Sequence, residues 1–280
     1  MTRSRHCEER FLRRSNLAAL LISLLSFSAL SNSGSRWVMT APGVIEHGSR
    51  KLKEIALTFD ACSEPRRGVI DTAVVNVLRE TRTPATIFAG GKWARDVAPA
   101  LRALAADTLF EIGCHAYMHP HLLKLSSVQV RKELGRGKRA LADITGRPPR
   151  LFRAPYGEID GRVARIADSL GFIPVEYDLP SGDPDTSISS ARLVKYVVGM
   201  ARRGSIVVMH INGRGRRTAE ALPGVIAGLR GKGYTLVTVG RLIAGHAAPS
   251  SLTGPARAAS QYPSGRAPTL PRNDTKRYVK

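Results

Sequence analysis

Acidic residues are scarce in this chain. Its 280 residues include 22 Asp+Glu against 43 Lys+Arg, a formal net charge of +21. That excess suits anionic lipid or an acidic polymer and says nothing of fold. Cysteine is scarcer still, and three in the whole sequence exclude a disulfide-stapled scaffold. Aromatic residues make up 6%. They are too few to interleave with the basic residues as stacking platforms, which argues against a nucleic-acid binder. The most apolar run, LAALLISLLSFSAL from Leu17 to Leu30, has 14 residues. A full membrane span takes roughly 17–25. What remains, 43% hydrophobic and 23% charged, is the composition of a globular protein with a sizeable core.

The first 33 residues have the order of a processing signal. Five arginines (Arg3, Arg5, Arg10, Arg13 and Arg14) precede the apolar run, and the small polar stretch SNSGS follows it. Residues 1–33 are therefore expected to be a signal peptide or an inner-membrane anchor, placing the protein in the periplasm or outside the cell. Without that segment the chain still carries +18, so its natural neighbour is an anionic cell-envelope surface, not nucleic acid. Residues 34–53 read as a linker. Residues 246–280 read as a basic, disordered tail with five prolines and no apolar periodicity.

Between these ends, over 54–245, short β-rich runs alternate with longer amphipathic segments. The runs are EIALTF (54–59), ATIFA (85–89), LFEIG (109–113), LFR (151–153), FIPVEY (172–177), SIVVM (205–209) and YTLVTV (234–239). Helices are expected near 68–82, 92–106, 126–145, 160–169, 190–203 and 218–230. Short, non-alternating apolar strands separated by helices predict an α/β sheet or barrel of parallel strands covered on both faces. In such folds the reactive residues collect at the carboxyl ends of the strands.

Polar residues do collect there. Asp60 follows the first run, His115 and His119 the third, Arg153 ends the fourth, Asp183 lies after the fifth and His210 follows the sixth. The H-x-x-x-H spacing of His115 and His119 puts two imidazoles on one side of a helical turn, a pair suited to a divalent ion, with zinc the first choice. His121 is the nearest further imidazole, and Pro120 turns it elsewhere. Asp60 can act as general base on a bound water, Arg153 can hold it ionised, and His210, read as lying across the barrel from Asp60, can give a proton to a leaving amine. Asp183 would raise the pKa of His210 for that step. Together these residues describe hydrolysis of an amide.

The same residues are where the chain resembles the polysaccharide deacetylase family, the NodB-homology or carbohydrate esterase family 4 domain, over about Glu54 to Ala244. Thr58-Phe59-Asp60 matches the start of its first motif, His115 to Pro120 its second, and Arg153-Ala154-Pro155-Tyr156 its third. Pro180 to Pro184 matches the fourth in part, and Val207 to His210 matches the fifth. The resemblance implies a distorted (β/α)7 barrel and metal-dependent removal of acetyl groups from N-acetylated sugars of a polysaccharide or peptidoglycan-like polymer. It implies Asp60 as base, Arg153 orienting it, His210 as acid supported by Asp183, and His115 and His119 as metal ligands. The backbone N–H of Tyr156 would help hold the oxyanion. Two positions depart from the pattern. Ala61 stands where the family has an aspartate ligand, and Pro184 stands where it has a tryptophan. A working but altered metal-dependent hydrolase is the expectation, because the base, both metal histidines, the third-motif arginine and the acid histidine are all at their places; the alternative is a non-catalytic polysaccharide-binding relative, and no protein partner is expected.

Cys62 and Cys114 flank this rim in sequence. They are expected as unlinked thiols, as a disulfide, or, for Cys62, as a sulfur ligand in place of the missing aspartate.

Overall fold

A computed structural model describes residues 43–63 and 68–244. The leader, residues 34–42 of the linker, residues 64–67 and the tail lie outside the described residues.

The chain opens with β1 (Glu54–Ala61), α1 (Thr72–Glu80) and β2 (Ala85–Ala89), then α2 (Gly91–Asp96), α3 (Ala98–Ala106) and β3 (Phe110–Cys114). It continues with α4 (Ser127–Thr145), β4 (Leu151–Phe152), α5 (Gly161–Ser169), β5 (Ile173–Pro174) and β6 (Leu179–Pro180). Last come α6 (Ser190–Met200), β7 (Ile206–His210), α7 (Thr218–Gly231), β8 (Thr235–Val237) and α8 (Val239–Ala244). All the pairings are parallel, in the order β5-β4-β3-β2-β1-β7-β6, and β8 pairs with the first half of β1. This curled, open sheet with helices packed on its outside is the distorted (β/α)7 barrel expected, with one short additional strand, β6.

Alternation along the strands decides which residues face inward. In β1, Ile55, Leu57, Phe59 and Ala61 join the large apolar cluster shared with the helices, which contains Val74 and Leu78 of α1 and Leu134 and Leu141 of α4. Ala56 instead joins Phe88, Leu151, Val175 and Ile206 in a second cluster on the inner face. The same parity puts Thr58 and Asp60 of β1, His210 of β7 and Arg153, just after β4, on that inner face.

The helices form where their sequences say they should. In α4 the buried positions Val130, Leu134, Gly137, Leu141 and Ile144 recur every three or four residues. Ser126 and Gln129 close a capping box at its start, and Gly146, at φ 77°, ends it. The expected helix over 92–106 is two helices instead. It breaks at Val97, whose φ of −118° is not helical, because Pro99 within α3 cannot donate a backbone N–H to an earlier turn. The run YTLVTV stops as a strand at Val237, and the chain turns into α8, capped by Thr86 Oγ1 accepting from Val239 N–H and Glu111 Oε2 accepting from Gly240 N–H. No helix among the described residues is long and apolar enough to cross a membrane.

Candidate active site

Asp60 and His210 are not across the barrel from each other, as the sequence suggested. β1 and β7 are neighbours, and the two residues are register partners at the ends of those strands. The sequence does not carry strand order, and the last strands of the chain return to lie beside the first.

Arg153 is the fixed point of the site. Its side chain is fully buried, with the guanidinium 4.0 Å over the Phe88 ring. Nη1 donates to Asp60 Oδ1 at 2.8 Å and to Thr58 Oγ1 at 2.7 Å, while Nη2 donates to the Glu176 carbonyl at 3.1 Å. Burial alone would push the Asp60 acid up. The charge of Arg153, with that of His210 and the hydrogen bond from Arg153, outweighs it and holds the carboxyl below the usual carboxylate range, so Asp60 is an anion.

His210 has the complementary arrangement. Its Nδ1 lies 2.9 Å from Asp183 Oδ1, and Asp183 Oδ2 accepts from the His210 backbone N–H at 2.7 Å and from Thr218 Oγ1 at 2.6 Å. Burial lowers the imidazole's affinity for a proton. The adjoining Asp183 carboxylate outweighs that and raises it above the ordinary histidine value. Asp183 is itself 1% exposed and held by Ser181, whose hydroxyl donates to Oδ1 at 3.1 Å.

His115 and His119 are brought together, although not on a helical turn. Residues 115–121 form a loop in which Ala116 (φ 60°) and His119 (φ 62°) take left-handed backbone conformations. Two such residues cannot belong to a right-handed helix, so Pro120 sits in a loop already formed. The ring centroids are 4.9 Å apart, edge to face. His115 Nδ1 donates to the Arg153 carbonyl at 2.9 Å, which fixes the tautomer and leaves Nε2 as the lone pair, 3.8 Å from Asp60 Oδ2. Burial is the main cause lowering both imidazoles, His119 to about 3, so both are neutral and able to act as ligands. The loop is held from behind by Glu133 of α4, whose Oε1 accepts the backbone N–H groups of Tyr117 and Met118. His121 is turned away, as expected. It stacks on Tyr156 at 4.1 Å and meets Glu158 Oε2 at 2.9 Å.

Two neutral imidazoles are a partial ion site. Ala61, where the resemblance implies an aspartate ligand, is fully buried and packs in the apolar cluster shared with the helices. Among the described residues no three His, Cys, Asp or Glu side chains converge as metal ligands would. A catalytic zinc site takes three protein ligands, and the described residues do not supply them. Cys62 and Cys114 are both buried and unlinked. The Cys62 sulfur lies 3.5 Å from Asn212 Nδ2 and Cys114 packs against the backbone of the 114–116 turn, which places neither in a disulfide.

Tyr156 sits in the 3-10 turn Pro155–Gly157, with φ 62°, and is 51% exposed. The residues that sequence reasoning missed are Thr218, Glu133 and Glu176, while Thr58 was named in the first motif without a role. Glu176 was legible in part, as a carboxylate inside the apolar run FIPVEY. Thr218 and Glu133 sit at ordinary helix positions, and nothing local marks them.

A family model for polysaccharide deacetylase matches residues 47–175. A bifunctional xylanase/deacetylase of Pseudobutyrivibrio xylanivorans is 27% identical over 194 residues, 69% of this chain and 31% of that protein. The chain thus spans about a third of that relative's length. A chitooligosaccharide deacetylase of Azorhizobium caulinodans is 26% identical over 71% of this chain and 98% of its own length. Among solved structures, a family 4 pseudoenzyme from Bacillus anthracis aligns with a TM-score of 0.65 at 25% identity, covering 72% of this chain and 69% of that one. A peptidoglycan N-acetylglucosamine deacetylase gives the same TM-score and identity, covering 71% and 92%.

Proposed function

The chain belongs to the polysaccharide deacetylase family, the NodB-homology or carbohydrate esterase family 4 group, and from that premise we propose that its rim binds N-acetylated sugars of a polysaccharide or peptidoglycan-like polymer without completing a catalytic metal site. The observation that carries this reading is an alanine, Ala61, directly after Asp60 in β1, together with the absence of a third metal-ligating side chain among the described residues. The likeness to a family 4 pseudoenzyme supports it. An acetamido group offers one N–H donor and one carbonyl acceptor. The anionic Asp60 takes the donor, and protonated His210 or the Tyr156 N–H meets the acceptor.

A second reading, hydrolysis of the acetamido group, is favoured by one specific observation. Both charged pairs, Asp60–Arg153 and Asp183–His210, are in place, with Arg153 and Asp183 buried. In that reading Asp60 takes the proton of the attacking water, the Tyr156 N–H meets the developing oxyanion, and His210 gives its proton to the leaving nitrogen. Acetate and a free amine are the products.

One experiment separates the two. N-acetylglucosamine oligomers are titrated calorimetrically into the protein, and acetate release is followed in parallel with added zinc. Binding without acetate above the buffer rate is the expected result. Acetate release that Asp60→Asn and His210→Ala abolish would establish the second reading instead, and no binding would remove the first.

A further inference from the structure

Beside the rim, sharing the ring of Tyr156 with it, lies a cavity of about 320 Å³ that neither reading uses. Its walls are Glu46, Tyr156, Gly157, Ile159, Glu176 and Tyr177. In a chain with 43 basic residues against 22 acidic ones, this lining holds two carboxyl groups and no lysine or arginine. Backbone pairing explains how the two meet. Ile45 bridges Val175 in parallel, and the Glu176 N–H donates to the Ile45 carbonyl at 2.8 Å. Glu46 and Glu176, each one residue further along, therefore leave the pair on the same face.

Glu176 is 6% exposed. Its Oε1 accepts the Ala154 N–H at 2.9 Å, while Oε2 has no hydrogen-bond partner among the described residues. A buried oxygen without a donor is unfavourable, and a ligand that brings one removes that cost. Gly157 keeps this wall open, because a Cβ there would meet the Tyr177 hydroxyl at 3.1 Å and Glu176 Oε2 at 3.8 Å.

We propose that this cavity is a subsite for a free amino sugar, a hexosamine whose nitrogen carries no acetyl group, with its ammonium between Glu46 and Glu176 and its ring against Tyr156. The proposal rests on the glycan-binding reading and adds to it the state of a neighbouring sugar. An ammonium brings three N–H donors and one positive charge, which suits an unpartnered carboxyl oxygen beside a second carboxyl. An acidic sugar would meet like charge. A neutral one would supply donors without the positive charge that displaces a proton from the carboxyl. Burial, with Asp60 and Glu46 adding to it against Arg153, pushes Glu176 up to about 8, so the empty cavity holds a proton that an arriving ammonium displaces. The Tyr156 ring also lies 4.5 Å from the His119 ring, so the subsite adjoins the rim. The ligand class that fits both is a partly de-N-acetylated glycan.

Three tetramers test this by calorimetry on the whole protein: glucosamine, N-acetylglucosamine and xylose. The glucosamine tetramer should bind about tenfold or more tighter than the xylose tetramer, with net proton release at about pH 7 on comparing buffers of different ionisation enthalpy. Glu176→Gln and Glu46→Gln should each weaken the glucosamine tetramer by about tenfold and leave the N-acetylglucosamine tetramer within about twofold. Glutamine at 176 keeps an acceptor for the Ala154 N–H, and a thermal melt checks the fold. Equal losses for the two sugars, or no loss for glucosamine, overturn the subsite. Binding of N-acetylglucosamine alone removes the subsite and leaves the rim reading. Binding of glucosamine alone does the reverse, and binding of neither removes both.

Discussion

Replacing Arg153 with methionine keeps most of the side-chain volume and removes the charge. The substitution leaves Asp60 buried as an anion with its main partner gone, and it takes donors from Thr58 Oγ1 and the carbonyl of Glu176. Breaking a buried ion pair from one side costs about 3–5 kcal/mol. At roughly 2–4 °C per kcal/mol for a domain of this size, the melting temperature should fall by roughly 6–20 °C at neutral pH. The pH dependence identifies the cause. In the native protein the Asp60 pKa is depressed, so its contribution is present above about pH 3.9 and is lost as the pH falls through the lower folded value. In Arg153→Met, burial acts without that offset and raises the same group, so the penalty is present at neutral pH and is relieved when Asp60 takes a proton. The gap between the two melting temperatures, followed by circular dichroism from about pH 7 to about pH 3, should therefore narrow with acid. A gap under about 2 °C at neutral pH, or one that does not change with pH, would refute the assignment of Arg153 as the group that keeps Asp60 ionised.

Asp183→Asn should lower the His210 titration midpoint seen by NMR. The native His210 pKa is raised, so its stabilising contribution is complete below about pH 6.5 and fades as the pH rises through the folded value; that dependence should vanish in the variant. Glu133→Ala removes the acceptor for the Tyr117 and Met118 N–H groups, at a cost of about 1–3 kcal/mol. Hydrogen exchange should speed at those two amides before it does in β1. Burial pushes the Cys114 thiol up to about 12, so iodoacetamide at about pH 8 should leave it unmodified until the protein unfolds. Thiol counts of unfolded protein should be the same with and without reductant.

Strand ATIFA was legible to the residue because a continuous apolar run between turns allows one reading, and α4 because its apolar positions keep helical spacing over five turns. Asp60, Arg153 and His210 could be picked out because each ends an apolar strand on the inner-face parity. The adjacency of Asp60 and His210 was not legible, since local pattern does not carry the order of strands. The form of the His115–His119 segment was missed for a different reason. H-x-x-x-H spacing suits a helical turn, but Glu133, some fifteen residues away in sequence, binds the Tyr117 and Met118 amides and holds the segment as a loop. Glu176 and Glu46 are 130 residues apart and meet only through the bridge of Ile45 to Val175.

Acetate release from N-acetylglucosamine oligomers by the native protein and by Ala61→Asp, side by side with added zinc, tests the central claim most directly. Ala61 follows Asp60 at the end of β1, at the position where the family carries an aspartate ligand. A carboxylate there would give the two imidazoles their third protein ligand. Oligomer binding by both proteins, tighter zinc binding by Ala61→Asp, and acetate release by that variant alone are the expected result. Equal turnover by the native protein, lost in His115→Ala and in Asp60→Asn, would contradict it.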